Sequence, residues 1–166
     1  MATATHPLFT VDLEDWDHAL HINREYHSSL NQVHWIKALL KEYNVIAIIY
    51  VLEAFKERFP EIVQALERDG HVMQSHGKYH IRGEKADRQP YANLGMTGGF
   101  WFRLLPLWFL KKQIYKGGQF YIHPHDLDFE HPKISPWWLN IKRHIGVWGA
   151  YAKLERLLQE VKFGCP

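Results

Sequence analysis

The chain has 166 residues, 46% of them hydrophobic and 23% charged, which fits one globular domain and excludes a disordered chain. A formal charge of +2 with basic residues scattered rather than massed leaves no electrostatic footprint for nucleic acid. The single cysteine, Cys165, excludes an internal disulfide and a cysteine-based zinc site. At the N-terminus, MATATHPLF has no basic stretch followed by an apolar core, so no signal peptide is read and a cytoplasmic location is expected.

In chain order, LFTVDL (Leu8 to Leu13) reads as a short strand running into the acidic corner EDWD. Val33, Ile36, Leu39 and Leu40 fall at helical spacing between about Gln32 and Tyr43, and Asn44 breaks that pattern. VIAIIYVL, Val45 to Leu52, has the length and β-branched content of a strand buried on both faces. Glu53 to Arg68 is amphipathic and is kinked or split by Pro60. Asp69-Gly70 ends it, and His71 to Ser75 forms a third strand.

Gly77 to Gly99 is polar and punctuated by glycine, as a long loop would be. Phe102 to Tyr115 is helical in part, and QFYIH, Gln119 to His123, is a fourth strand. A helical tail begins at about Trp137, with its last helix from about Val147 to Val161. The most apolar segment, GGFWFRLLPLWFL, is interrupted by Arg103 and Pro106 and is too short to span a bilayer. Phe100 to Leu110 could still lie against a membrane surface, or pack on the sheet, which is the expected arrangement. Alternation of strand and helix implies a mostly parallel sheet in a single α/β domain over residues 1–166.

Three polar clusters then share one place in the architecture. Asp12, Glu14 and Asp15 follow the first strand, His76 and His80 the third, and His123, His125 and Asp126 the fourth. Ligands of parallel α/β sheets bind at the carboxyl ends of strands. Two imidazoles and a carboxylate form a standard ligand set for catalytic zinc. Singly, each cluster has a structural explanation: a chance His pair in a chain with 12 His, a helix cap, a turn. Together, on three strand ends, they point to a metal.

FTVDLEDW, GHVMQSHGKYH and GQFYIHPHDLDFEHP resemble, in order, the successive motifs of the polysaccharide deacetylase family, metal-dependent carbohydrate esterases with a (β/α) barrel. The C-terminal portion is similar to the branch whose last strand ends in a His-Pro pair before a helical tail such as KRHIGVWGAYAKLERLLQEVKF. The resemblance implies a hydrolase that removes N-acetyl groups from an amino sugar or cell-envelope polysaccharide, using a divalent cation such as Zn2+. It assigns His76 and His80 as metal ligands, Asp15 as the third ligand and Asp12 as the catalytic base. Glu14 remains open in either acidic role, because side chains two apart on a strand share a face. It further assigns His123 as the proton donor and Arg88, in an Arg-x-Pro-Tyr-like element, as the residue orienting Asp12. Trp16, Tyr79, Tyr91 and Tyr121 are expected along the sugar.

Three departures qualify the likeness. Only the short stretch IRGEKADRQPY separates His80 from the end of that element. Several central strands are therefore expected to be missing, which leaves a small, incomplete or open barrel unless the chain forms a homo-oligomer. Tyr121 stands where the late motif usually has leucine, and His125 where the nearest branch commonly has tryptophan. Two alternatives stay open: a metallohydrolase of cyclic amides, or an inactive glycan-binding relative.

Overall fold

A computed structural model describes residues 6–15, 29–89, 92–130 and 137–166. Strand β1, Leu8–Leu13, is followed by helix α1, Leu30–Glu42, and by β2, Ile48–Val51. Helices α2, Glu53–Arg58, and α3, Pro60–Arg68, lead to β3, Val72–Ser75. After the polar crossing come α4, Gly99–Leu104, α5, Leu107–Gly117, and β4, Gln119–Ile122. A 3₁₀ turn at Pro124–Leu127, α6 at Trp137–His144, a second 3₁₀ turn at Val147–Gly149 and α7 at Ala150–Glu160 complete the order.

The four strands form one all-parallel sheet in the order β3-β2-β1-β4. β1 is central, with Thr10 opposite Ile48 on one side and Tyr121 on the other. Among the described residues β3 and β4 are its edges, and the sheet there is an open α/β arc. A small, incomplete barrel is compatible with that topology.

Strand alternation sorts the two faces. Phe9, Val11 and Leu13, with Ile49, Val51, Phe120 and Ile122, share one hydrophobic cluster with residues of α1, α3, α5 and α7. Each large side chain so buried stabilises by about 1.5–3 kcal/mol. The opposite parity carries Thr10, Asp12, Tyr50, Gln119 and Tyr121, and the polar crossing lays Arg88 over this face. Its guanidinium carbon sits 3.8 Å from the centre of the Tyr50 ring. One face thus makes the core, and the other is reserved for polar chemistry.

Helix ends follow from local residue choice. Asn44 takes φ 52°, and the Val45 and Asn44 N–H groups close back on Leu40 O and Lys41 O at 2.9 and 3.2 Å. Gly70, φ 87°, repeats the arrangement after α3, with His71 N–H on Leu66 O at 3.3 Å and Gly70 N–H on Glu67 O at 3.0 Å. These paired bonds satisfy carbonyls that a helix end leaves open. Pro60 does split the amphipathic run, since it opens α3 at its first position where its missing N–H costs nothing.

The expected strand from Val45 to Leu52 shortens to its paired core, Ile48–Val51. The apolar Phe100 to Leu110 stretch divides between α4 and α5. Phe102 and Leu110 are buried in the core, whereas Trp101, Leu104 and Trp108 are exposed. Among the described residues no helix is long and apolar enough to cross a membrane.

Candidate metal and acid-base site

Members of all three polar clusters converge at the carboxyl ends of the strands. They line a cleft of about 370 Å³ with Asp12, Glu14, His76, His80, Arg88 and His123 in its wall. The acidic corner enters from β1. Asp12 is still on the strand, facing away from the helices, and Glu14 follows two residues on with the same parity. Both are nearly fully buried.

Arg88 is the organising residue of this floor. Its Nη1 donates to Asp12 Oδ1 at 2.6 Å, and its Nη2 donates to Thr10 Oγ1 at 3.0 Å and Gln119 Oε1 at 3.3 Å. A guanidinium on a carboxylate fixes orientation as well as charge. The backbone of the same residue acts on the His76 side of the cleft, where its carbonyl lies 3.0 Å from His76 Nδ1. A carbonyl only accepts, so Nδ1 carries the proton, and in the neutral ring this leaves the lone pair on Nε2, the form a metal ligand requires.

His80 reaches the same point through a backbone in the left-handed region, φ 57°, a conformation that costs a non-glycine residue about 1–2 kcal/mol. Its Nε2 lies 3.0 Å from Glu14 Oε2. Ligand atoms of Glu14, His76 and His80 fall within 4.8 Å of one another, all three residues buried. Burial would raise the Glu14 carboxyl, but the His80 hydrogen bond and the charges of His123, His80 and His125 outweigh it and hold it down to about 2. A buried, ionised carboxylate beside two imidazoles, one with its tautomer fixed by a backbone carbonyl, fits a zinc-like cation.

The carboxylate in this group is Glu14, whereas the motif pointed to Asp15. Asp15 turns the other way: its Oδ1 accepts the Ser29 N–H at 2.9 Å, and its Oδ2 lies 3.5 Å from Arg58 Nη1. The physical reason is strand alternation, which puts Glu14 on the face of Asp12 and Asp15 on the face opposite.

On the far wall, His123 follows β4 and caps the 3₁₀ turn. Asp126 folds back so that its Oδ2 meets both the His123 backbone N–H at 3.0 Å and Nδ1 at 3.1 Å. Behind it, Arg103 of α4 donates Nε–H to Asp126 Oδ1 at 3.1 Å and binds the carbonyls of Arg143 and Ile145. Burial lowers the affinity of His123 for a proton, but the Asp126 hydrogen bond and the Asp126, Glu14 and Asp12 charges prevail and lift it to about 9. Asp126 itself is held below the usual carboxylate range: burial raises it, and the His123 hydrogen bond and Arg103 overcome that. His123 Nε2 stands 3.7 Å from both Asp12 Oδ2 and Glu14 Oε1, a protonated imidazole facing two carboxylates.

His125 stacks on His123 with ring centroids 4.6 Å apart. Burial and the His123 charge push it down to about 3. Its ligand atom, with those of Glu14 and His123, makes a second group within 4.8 Å. Tyr121 lines the cleft, its hydroxyl pushed up to about 12 by burial and by the Asp126 and Asp12 charges. Tyr79 does not line it: the side chain is 56% exposed, and its N–H is tied to Glu84. Trp16 and Tyr91 lie outside the described residues. Arg103, Lys142 and Arg143, the last two in the cleft wall, carried no signal in the sequence, because their relevance depends on where α4 and α6 pack.

Residues 87–165 match a family described as a domain of unknown function, DUF3473, which occurs in polysaccharide deacetylase-associated proteins. That match begins at Asp87, beside Arg88, and takes in His123 and the helical tail, while His76, His80 and the acidic corner precede it. No curated protein matches the chain.

Proposed function

We propose that the chain is a metal-dependent hydrolase that removes N-acetyl groups from an amino sugar or a cell-envelope polysaccharide. The observation that carries this reading is the convergence of a buried Glu14-His76-His80 group with an Arg88-held carboxylate and an Asp126-held imidazole in one cleft. Glu14, His76 and His80 would hold the ion. A divalent cation there supplies a Lewis acid and a water acidic enough to ionise near neutral pH.

The remaining chemistry belongs to side chains of the chain itself. Asp12 is the proton acceptor. One of its oxygens is engaged by Arg88, and the other lies toward the cleft, 3.7 Å from His123 Nε2. His123 is the proton donor to the departing amine. Asp126 keeps the imidazole oriented through Nδ1 and charged through its carboxylate, so that Nε2 is the atom that delivers the proton. Tyr121 forms part of the wall on one side. An acceptor and a donor in one cleft suit a reaction that removes a proton from water and returns one to nitrogen.

The test is acetate release from a panel of N-acetylated amino sugars and their oligomers, with cyclic ureides as the competing class, after reconstitution with zinc, cobalt or nickel. Acetate released from an amino sugar supports the reading. Ring opening of a ureide without acetate release replaces the substrate class, and inactivity with every metal removes the enzyme.

A further inference from the structure

We propose that the cleft accepts a second divalent cation, held by Glu14, His123 and His125, and that this ion inhibits the enzyme by turning its proton donor into a ligand. The binding half stands on geometry alone; the inhibitory half rests on the hydrolase reading above.

Glu14 is placed between two pairs of imidazoles. Its Oε2 lies 3.0 Å from His80 Nε2, and its Oε1 lies 3.7 Å from His123 Nε2. Each oxygen thus faces a different histidine. The ligand atoms of Glu14, His123 and His125 lie within 4.8 Å of one another, as do those of Glu14, His76 and His80. Three ligands at zinc distances of about 2.0–2.2 Å stand at most about 4.4 Å apart, so closure on an ion needs only a small inward shift.

The imidazoles are prepared for such a role. Asp126 occupies His123 Nδ1 at 3.1 Å and leaves Nε2 facing Glu14, the carboxylate-histidine arrangement that orients metal ligands. The His125 ring lies nearly parallel to it, at 15°, so the two rings present their edges side by side.

The two positions differ in strength. Glu14, His76 and His80 are all buried, whereas His123 and His125 are only partly so. A second ion would share Glu14 with the first and be repelled by it across the roughly 3.5–4 Å of a two-metal site. The first position therefore fills before the second. Filling the second removes the Nε2 proton of His123, and with it a donor that contributes at least about 100-fold to such reactions.

The experiment titrates Zn2+ alone into the metal-stripped full chain, by calorimetry and elemental analysis, with deacetylation followed in parallel. Two equivalents are expected, the second weaker, with activity rising to the first and falling about 100-fold as the second binds. His125→Phe and His125→Gln are expected to bind one equivalent, and their activity at excess zinc to equal their own activity at one equivalent. If neither variant folds, imidazole resonances of the native chain decide: those of His123 and His125 must move with the second equivalent and not the first. A native chain that binds one equivalent and stays active in excess zinc overturns this inference and leaves the proposed function standing. Two equivalents retained by a folded His125 variant overturn it as well, and no tight zinc in the native chain overturns both.

Discussion

Arg88 donates to Asp12 at 2.6 Å while its own carbonyl holds His76 Nδ1 at 3.0 Å. One residue of the polar crossing thus ties Asp12, the proposed proton acceptor, to His76, a proposed metal ligand, across the open face of the sheet. Side chain and backbone do different work, and substitution separates them. Arg88→Met leaves Asp12 buried without its cation, a loss typically worth about 3–5 kcal/mol. Turnover should fall by about 100-fold or more, while zinc is still retained because the carbonyl remains. Arg88→Lys should recover little, since an ammonium cannot reproduce the forked contacts to Asp12 and Thr10. Denaturant midpoints, kcat and zinc content on the three proteins check this; a variant that loses zinc along with turnover would count against the division of roles.

Glu14 and Asp15 give a second test. Glu14→Gln is expected to weaken zinc by more than about 100-fold, beyond the cost of losing an outer-shell partner. Asp15→Asn should stay within about tenfold, because its carbonyl oxygen can still accept the Ser29 N–H. Competition with a zinc chelator measures both, and the reverse order would return the ligand role to Asp15.

The His123-Asp126 pair predicts an alkaline limb in the metal-free chain. The His123 imidazole is raised to about 9 from an unfolded value of about 6.5. Its contribution to stability is therefore fully present below about pH 6.5 and is lost as pH rises through about 9. Asp126→Asn removes the charge but can keep the hydrogen bond, so the imidazole titration should move down and the alkaline loss shrink. Imidazole NMR and denaturant midpoints on metal-free protein follow both quantities. An unmoved His123 titration would mean that Asp126 does not set it.

His71 predicts the opposite limb, away from the cleft. It is buried, and the Ala47 N–H donates to its Nδ1 at 3.2 Å, a bond that only the neutral ring accepts. Burial lowers its pKa against the raising effect of Asp69. With the folded value depressed, the unfolded chain takes up the proton first. Stability from this residue is complete above about pH 6.5 and declines as pH falls through the folded pKa. His71→Asn, which can accept the same N–H without titrating, should narrow the gap in urea midpoint between about pH 8 and about pH 5. An unchanged gap would assign the acid loss elsewhere.

Much of this was legible because it is local. The β1 parity that puts Phe9, Val11 and Leu13 in the core also puts Asp12 and Glu14 together on the other face. That alternation kept Glu14 open in either acidic role, while the family resemblance assigned the ligand role to Asp15. Helix stops at Asn44 and Gly70 could be read because left-handed backbone is cheapest for such residues. The placement of His76, His80 and His123 at strand ends followed from the order of strands and helices alone.

The amino-acid sequence by itself determined the strands, the parity of their side chains and the three clusters at their carboxyl ends, because those depend on backbone periods of two or 3.6 residues. Only the tertiary structure decided which groups meet. The chain folds back to set Arg88 on Asp12 and Tyr50, Arg103 arrives behind Asp126 from a different helix, and Tyr79 turns outward while Tyr121 turns in. Such contacts join residues tens of positions apart and depend on the twist of the sheet and the packing of helices upon it, which no local period encodes.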